Sequence, residues 1–269
     1  MSEILLSVEH LRKAYSTPKG VTEVIHNLDF QLAPGEFACI VGPSGAGKTT
    51  LLRSIAGLLP PSSGQIRFED RVITQPPADM AVVFQEYGRS LFPWMTVGRN
   101  VAQPLIEKGV PKAERERLVA DALEAVGLSS NANSYPWQLS GGMQQRVAIA
   151  RAVAYEPRLL LMDEPFAAVD AQTRADLEDL VRELWKRLGV TVLFVTHDIE
   201  SSIYLSQRVL VLSDRPTEVL ADIPIELPEQ RSQLETRMLP EFGEHRARIY
   251  ELVQQAKRGA RTGSLPTVR

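Results

Sequence analysis

The chain of 269 residues has one cysteine, few aromatic residues and no long apolar run. The single cysteine, Cys39, excludes an internal disulfide and a cysteine cluster for a metal, which favours a reducing compartment. No apolar stretch approaches the roughly 20 residues of a membrane-spanning helix, so we expect the chain not to cross a bilayer by itself. The N-terminus, MSEILLSVEHLRKAY, lacks a basic start followed by an apolar run and predicts no signal peptide.

Neither sign of charge dominates, because 30 Lys and Arg residues stand against 33 Asp and Glu residues, a formal charge of −3. Such a balance is poorly suited to holding a nucleic-acid backbone by bulk charge, and we expect no nucleic-acid partner. Hydrophobic residues make up 44% of the chain, which is enough for a sizeable core and excludes general disorder. The composition therefore predicts one large or two small folded domains.

Hydrophobic patterning indicates an α/β fold. Short alternating segments at 4–14, 23–33 and 64–74 predict antiparallel strands. Continuous apolar runs predict buried strands at 36–41, 79–84, 158–162, 190–196 and 208–213. Helical patterns, beginning with one over 48–59, separate most of these runs, which is typical of a parallel sheet.

Between residues 97 and 155 the pattern changes to consecutive helices without strands. One helix is predicted over 111–128, starting at its proline, and another over 140–157. We therefore expect a helical insertion of about residues 88–157 inside a domain of residues 1–230.

Residues 231–269 are expected to form a C-terminal helical extension and a flexible tail. Pro-rich turns follow residue 214, and a helical pattern lies near 241–257. The end of the chain, KRGARTGSLPTVR (257–269), is polar and predicts a solvated, disordered tail.

One segment between a strand and a helix matches the pattern of a phosphate-binding loop. Its residues are Gly42, Pro43, Ser44, Gly45, Ala46, Gly47, Lys48 and Thr49, and Thr50 follows as a further candidate nucleotide-binding residue. The glycines let successive backbone N–H groups surround an anion at a helix N-terminus. Lys48 supplies a charge for the β- and γ-phosphates, and the Thr49 hydroxyl completes a Mg²⁺ shell. The alternative is a glycine-rich turn without a ligand.

A carboxylate pair, Asp163 and Glu164, follows the apolar run at 158–162. Beside a phosphate loop, Asp163 would hold Mg²⁺ directly or through water, and Glu164 would polarise the attacking water as general base. The alternative is a carboxylate pair that only ends a strand.

A second anion-binding helix start is predicted at Ser140, Gly141 and Gly142. Two such starts with one phosphate loop indicate a nucleotide shared between two copies of the chain. The alternative is an ordinary Ser-capped helix.

These motifs together resemble those of the nucleotide-binding subunit of the ATP-binding cassette (ABC) superfamily, over roughly residues 4–220. In the family's order they are Tyr15, GPSGAGKT, Gln85 in VVFQE, LSGGMQQR, LLLMDEP, Asp170 in FAAVD and His197 in FVTHD. The resemblance implies an ABC-type phosphate-loop ATPase core of the α/β class. It also implies an antiparallel β subdomain and an inserted helical subdomain.

The resemblance assigns a role to three further residues. Tyr15 would stack on the adenine of ATP, and Gln85 would contact Mg²⁺ and the lytic water. His197 would hold the γ-phosphate. Alternatively, Tyr15 is a core residue on a strand face and His197 is structural.

In dimers of this family, Ser140 and Gly142 would contact the ATP held by the opposite subunit, and Asp170 would lie at the dimer seam. Met143 departs from the LSGGQ pattern, and Val169 stands where leucine is usual. Neither change removes a catalytic atom, so the resemblance implies an active ATPase.

The segment GRSLFPWMTVGRNVAQPL (88–105) resembles the importer ATPases for nitrate, sulfonate and taurine, as do the segments at 218–232 and 241–253. In the family this face docks a short coupling helix of a transmembrane subunit. Phe92 and Trp94 are alternatively core aromatics of the helical insertion.

The resemblance therefore implies a homodimeric ATPase subunit that binds ATP and Mg²⁺ at the cytoplasmic face of the cell membrane. Its partners would be transmembrane permease subunits and an extracytoplasmic solute-binding protein. The alternatives are an ABC ATPase of an envelope or cell-division complex, a non-transport ABC protein, and a small-molecule kinase.

Overall fold

The computed structural model describes residues 4–18, 20–85 and 90–262. The strands of this part are β1 (Leu6–Thr17), β2 (Gly20–Leu32), β3 (Phe37–Val41), β4 (Ser63–Phe68), β5 (Arg71–Val72), β6 (Met80–Val83), β7 (Leu159–Asp163), β8 (Thr191–Val195), β9 (Arg208–Leu212) and β10 (Val219–Pro224). Its α-helices are α1 (Lys48–Ile55), α2 (Val97–Glu107), α3 (Lys112–Ala125), α4 (Gly141–Ala154), α5 (Ala171–Leu188), α6 (Ile199–Leu205), α7 (Glu235–Met238) and α8 (Pro240–Thr262). Two compact units are formed, one from residues 1–77 with 191–269 and the other from 78–190.

The first unit holds an antiparallel sheet and a parallel arrangement of strands. The antiparallel strands run in the order β2-β1-β4-β5. Strand β3 pairs in parallel with β8 on one side and β9 on the other, and β10 runs antiparallel to β9. All residues of β3 and β8 are buried, as expected for continuous apolar strands covered on both faces. The α/β prediction with an antiparallel sheet is confirmed.

The second unit combines a parallel strand pair with helices. Strand β6 pairs with β7, from Met80 opposite Leu159 to Val83 opposite Met162. Helices α2, α3 and α4 pack against one another through buried positions such as Val101 and Val147. The predicted run of helices between residues 97 and 155 is confirmed, while the boundaries of a helical insertion remain a prediction.

The bounds of several elements differ from the prediction, and three of these differences have a local cause. The strand predicted over 64–74 is a hairpin of β4 and β5, because Glu69 and Asp70 both take a left-handed turn conformation, with φ of 49° and 61°. Helix α1 stops at Ile55, two residues before Gly57, which has φ +70°. Helix α3 begins at Lys112 rather than at the proline, since Pro111 adopts an extended ψ of 147° as the N-cap.

The region beyond residue 214 differs most from the prediction. Strand β10 lies where only turns were expected. Its backbone groups pair with those of β9, and Ile223 is its only buried residue. Helix α8 continues to Thr262, so disorder from residue 257 is a wrong prediction for 257–262. Once packing has nucleated a helix, each further residue adds a backbone hydrogen bond, and four of the six residues over 257–262 are lysine, arginine or alanine, which have good helix propensity. The predicted tail over 263–269 lies outside the described residues.

No helix within the described ranges combines the length and the apolar composition needed to cross a membrane.

Asn100 holds the loop that precedes α2. Its side chain has no exposed area, and its Oδ1 accepts a 2.7 Å hydrogen bond from the Phe92 amide. Its Nδ2 lies 3.1 Å from each of the carbonyl oxygens of Phe92, Met95 and Thr96. One buried amide therefore satisfies several backbone groups of the loop that carries Trp94.

We expect Asn100→Ala to lower the free energy of unfolding by about 1–3 kcal/mol, because partly buried backbone groups lose their hydrogen-bond partner. Urea denaturation followed by circular dichroism measures this change. The matched control is Gln172→Ala on the exposed surface of α5, which should change stability by less than about 0.5 kcal/mol. Equal stability of the two variants would contradict the role given to Asn100.

Candidate functional site

The candidate phosphate loop lies between β3 and α1, as the sequence predicts. Lys48, the first residue of α1, is only 6% exposed. Its Nζ donates hydrogen bonds of 3.0 Å to the carbonyl oxygens of Gly42 and Pro43. The lysine thus folds back over the start of the loop, while the amides of the first helical turn face the loop's other end. This arrangement places a cation and helix N–H groups around one concave turn.

Two features of the structure require a glycine at position 47. It has φ +76°, a conformation that favours glycine, and it directly precedes α1. A Cβ atom at this position would lie 2.6 Å from Cγ1 of Val24 on β2. The packing of the loop against β2 therefore explains the last glycine of the motif.

Two residues that sequence reasoning missed contact the phosphate loop from the segment between β9 and β10. The Arg215 Nε donates to the Gly45 carbonyl, and the Thr217 Oγ1 donates to the Ala46 carbonyl at 2.6 Å. Thr217 is itself held by its amide, which donates to the Val24 carbonyl at 3.0 Å. No local pattern could identify these contacts, because about 170 residues separate the partners in sequence.

Two further predicted residues of the first unit, Tyr15 and His197, lie near strand ends and are exposed. Tyr15 on β1 has 38% of its surface accessible, and the Lys13 Nζ lies 5.2 Å from its ring centroid. The core-tyrosine alternative is therefore wrong. His197 follows β8 and is also exposed, whereas the preceding Thr196 is fixed by its amide, which donates to the Ile40 carbonyl at 3.1 Å. Ser44 of the loop is exposed, and Thr49 and Thr50 are half-buried.

In the second unit the structure brings Gln85 and Glu164 together. Asp163 is the last residue of β7 and is 3% exposed. Glu164 has φ +44°, a left-handed conformation uncommon for a residue with a side chain. The Gln85 Nε2 lies 3.5 Å from Glu164 Oε2, a long hydrogen bond. Two residues expected to contact the same water therefore have adjacent side-chain ends.

Ser140 caps α4, with its Oγ accepting from the Met143 amide at 3.3 Å. Ser140 and Gly141 are exposed, and Gly142 lies against α5. A Cβ atom on Gly142 would lie 2.5 Å from Cγ2 of Thr173, which explains the second glycine. The predicted helix start is confirmed, and the serine cap itself is compatible with both interpretations of the motif.

Asp170, predicted at a dimer seam, caps α5. Its carboxylate accepts from the Thr173 amide at 3.0 Å and from the Thr173 Oγ1 at 2.7 Å. These hydrogen bonds hold the pKa of Asp170 below its usual value, and the bond from the Thr173 amide has the larger effect. The aspartate therefore fixes the threonine that Gly142 contacts.

The second unit also carries an aromatic pair, the half-buried Phe92 and the exposed Trp94. Their ring centroids are 5.5 Å apart, and Trp94 is 69% exposed. The alternative that Trp94 is a core aromatic is therefore wrong. Phe92 lines a groove of about 520 Å³ whose other lining residues include Met80, Pro104 and Tyr155. The lining also includes charged residues such as Glu107 and Arg151. A groove of mixed apolar and charged lining beside an exposed indole is a suitable surface for a short amphipathic helix.

Comparison with known proteins agrees with these motifs. Residues 25–167 match the model of the ABC transporter family. An uncharacterised ABC transporter ATP-binding protein of Methanocaldococcus jannaschii is 42% identical over 254 residues, which is 94% of this chain and 92% of that protein. The nitrate import ATP-binding protein NrtD of Synechocystis sp. is 41% identical over 254 residues, 93% of this chain and 95% of that protein.

Among solved structures, the ATP-binding cassette MJ0796 is similar in its dimeric, post-hydrolysis state bound to ADP and Pi. The identity is 32% and the TM-score is 0.73, over 82% of this chain and 99% of that one. The fold, the phosphate loop and the similar proteins all indicate the same family. The chain belongs to the ABC transporter family and is one of its ATP-binding ATPases.

Proposed function

We propose that the chain is the ATPase subunit of an importer for a small oxidised anion or a related organic solute, such as nitrate, a sulfonate or taurine. The observation that carries the importer assignment is the exposed Trp94 beside the Phe92 groove, in a segment that resembles this group of importers. The similarity to NrtD, over most of both chains, supports the same group.

Binding of ATP is assigned to the phosphate loop and Tyr15. The α1 amides and Lys48 bind the β- and γ-phosphates, with Gly42 to Gly47 forming the loop around them. Tyr15 is exposed on β1, so its ring is accessible for stacking on adenine. Thr50, half-buried in the first turn of α1, is assigned to the same nucleotide site.

The candidate Mg²⁺ ligands fit this ion in their chemistry. Thr49, Gln85 and Asp163 offer hydroxyl, amide and carboxylate oxygens, which are the donors that Mg²⁺ prefers. Within the described ranges, no group of three or more His, Cys, Asp or Glu residues forms a cage for a metal. In nucleotide sites, Mg²⁺ is commonly bound by one or two protein ligands together with substrate phosphates. When bound, Mg²⁺ neutralises phosphate charge.

Hydrolysis is assigned to Glu164, Gln85 and His197. Glu164 accepts the proton of the attacking water, and Gln85, 3.5 Å from it, orients the same water. His197 donates a hydrogen bond to the γ-phosphate and stabilises the charge that develops there.

A homodimer completes the proposed site. Ser140, Gly141 and Gly142 contact the ATP held by the second copy, whose own motif contacts the first ATP in return. The dimeric state of the similar cassette MJ0796 supports this assignment. ATP then favours the closed dimer by its additional contacts there, and hydrolysis removes them.

The proposed partners are transmembrane permease subunits and an extracytoplasmic solute-binding protein, with this chain at the cytoplasmic face of the membrane. The groove beside Phe92 is assigned to a short amphipathic helix of the permease. An ABC ATPase of an envelope or cell-division complex would use the same nucleotide chemistry with other partners.

We expect Thr217→Val to weaken ATP binding by about 10-fold, because an unpaired Ala46 carbonyl costs about 1–1.5 kcal/mol and loosens the loop. Isothermal titration calorimetry measures the Kd for ATP in the presence of Mg²⁺. Thr217→Ser keeps the hydroxyl and should bind ATP like the wild type. Equal Kd values for the valine and serine variants would refute the contribution of this hydrogen bond.

Glu164→Gln should reduce ATP turnover by about 10²–10⁴-fold, because the general base is lost, while ATP binding persists. The variant should form an ATP-dependent dimer in size-exclusion chromatography. Glu183→Gln, on the exposed surface of α5, is the matched control and should hydrolyse ATP normally. Near-normal turnover in Glu164→Gln would show that another group is the base.

The importer assignment predicts that cells lacking this chain lose uptake of labelled nitrate, taurine or an alkanesulfonate. Wild type should restore uptake, whereas Trp94→Ala should restore less than about a tenth of it, because an aromatic residue at the centre of an interface carries much of the binding free energy. The purified Trp94→Ala chain should hydrolyse ATP normally, and Tyr250→Ala, another exposed aromatic, should restore full uptake. Unchanged uptake of all three solutes in cells lacking the chain would contradict the importer assignment and favour the envelope alternative.

A further inference from the structure

The short helix α6 begins two residues after His197, with Asp198 as its N-cap. It is contacted by the C-terminal extension, defined as residues 231–262. Three arginines of the extension, Arg231, Arg237 and Arg246, bind groups of α6 or of the residue that follows it. All of these residues belong to the first unit, together with His197.

Arg231 binds the carboxyl end of α6. Its Nη1 lies 2.8 Å, 2.7 Å and 3.0 Å from the carbonyl oxygens of Ile203, Tyr204 and Ser206. The last carbonyls of a helix have no partner inside the helix, and a cation there also interacts favourably with the helix dipole. One guanidinium thus caps the end of α6.

Glu200 fixes the other end of α6. Its two carboxylate oxygens lie 2.9 Å from Arg237 Nη1 and 3.1 Å from Arg246 Nη1. The Arg237 guanidinium also lies 5.2 Å from the ring centroid of Tyr204, a residue with no exposed surface. Glu200 is three residues after His197, which is less than one helical turn.

The peptide around His197 is tied to α6 and to β3. Asp198 caps α6 by accepting from the Ser201 amide at 3.0 Å, and its own amide donates to the Thr196 Oγ1 at 3.0 Å. The Thr196 amide donates to the Ile40 carbonyl on β3. His197 therefore lies between a residue fixed to β3 and the cap of a helix that the extension contacts.

The extension is itself packed against the elements of the first unit. Phe242 is 1% exposed and Ile249 is fully buried, and α8 packs against α6 and β9. In contrast, the phosphate loop is held by Thr217 and Arg215, which the extension does not include. The contacts that hold α6, the helix after His197, and those that shape the ATP-binding loop are thus carried by different side chains.

We propose that the C-terminal extension positions His197 through α6, with Arg231 and Glu200 as positioning residues for ATP hydrolysis. The inference rests on the γ-phosphate role given to His197 under the proposed function. Loss of these contacts lowers kcat and leaves the KM for ATP unchanged, because the loop that binds the phosphates keeps its own supports. The extension is then a lever through which a partner could slow hydrolysis without releasing ATP.

The experiment is a double-mutant cycle in the full chain, with Arg231→Gln, His197→Ala and the combined variant. Arg231→Gln should lower kcat about 10-fold, since small displacements of a catalytic group are costly, with KM within about twofold of wild type. In the His197→Ala background, Arg231→Gln should cause no further loss.

Two variants separate positioning from folding. Glu200→Gln keeps the shape of a half-exposed side chain, weakens both ion pairs and should also lower kcat several-fold while the Tm stays near that of the wild type. Arg248→Gln removes an exposed arginine of α8 and is the matched control, with kcat expected to stay unchanged.

A spectroscopic signature reports on His197 without activity. The chain has 4 histidines, so the ring resonances are few enough to assign by nuclear magnetic resonance. The His197 resonance should shift in Arg231→Gln and Glu200→Gln but not in Arg248→Gln, while those of His10 and His26 stay in place.

The outcomes separate a failure of the γ-phosphate role of His197 from a failure of its positioning by the extension. If His197→Ala keeps normal turnover, the proposed role of His197 fails, whatever Arg231→Gln does. If His197→Ala is slow but Arg231→Gln and Glu200→Gln turn over normally, the positioning inference is overturned. It is equally overturned if the Arg231 effect multiplies with that of His197→Ala or if the His197 resonance does not move.

Discussion

The pairing of β3 between two parallel strands is the constraint on which the site of the first unit depends. Ile40 lies opposite Val195 of β8 and Leu210 of β9, so the three strands end at one edge. The phosphate loop, His197 and the segment that carries Thr217 all leave from this edge. Parallel strands with crossover connections place ligand-binding loops in this way, at the carboxyl ends of the strands.

The phosphate loop needs support because a concave ring of amides leaves its carbonyl groups turned to the other side. Lys48 satisfies two of these carbonyls from within the loop, and Arg215 and Thr217 satisfy those of Gly45 and Ala46 from outside. The loop is thereby shaped before any phosphate arrives. A preorganised site needs no reorganisation during the reaction. Such electrostatic preorganisation is usually the largest single contribution to enzymatic catalysis.

The C-terminal part shows where sequence patterns lose their information. Strand β10 buries only Ile223, so its hydrophobic signal is too weak to separate it from a turn. Its formation depends on hydrogen bonds with β9. Arg231 is surrounded in sequence by polar and proline residues. It nevertheless donates hydrogen bonds to three carbonyl groups that lie more than twenty residues earlier in the chain. Neither the pairing of β10 nor the role of Arg231 leaves a local sequence pattern, because each depends on a second segment that is distant in the chain.

Local chemistry determined the parts of this protein that depend on neighbours in sequence. The loop from Gly42 to Thr49, the cap at Ser140 and the strand ending in Asp163 require only residue types at short spacings, which is why the sequence by itself identified them. Tertiary structure alone decided that Trp94 is exposed and that Thr217 supports the loop. The physical reason is that burial and long-range hydrogen bonds arise from segments far apart in the chain, and a one-dimensional pattern carries no information about which of them meet.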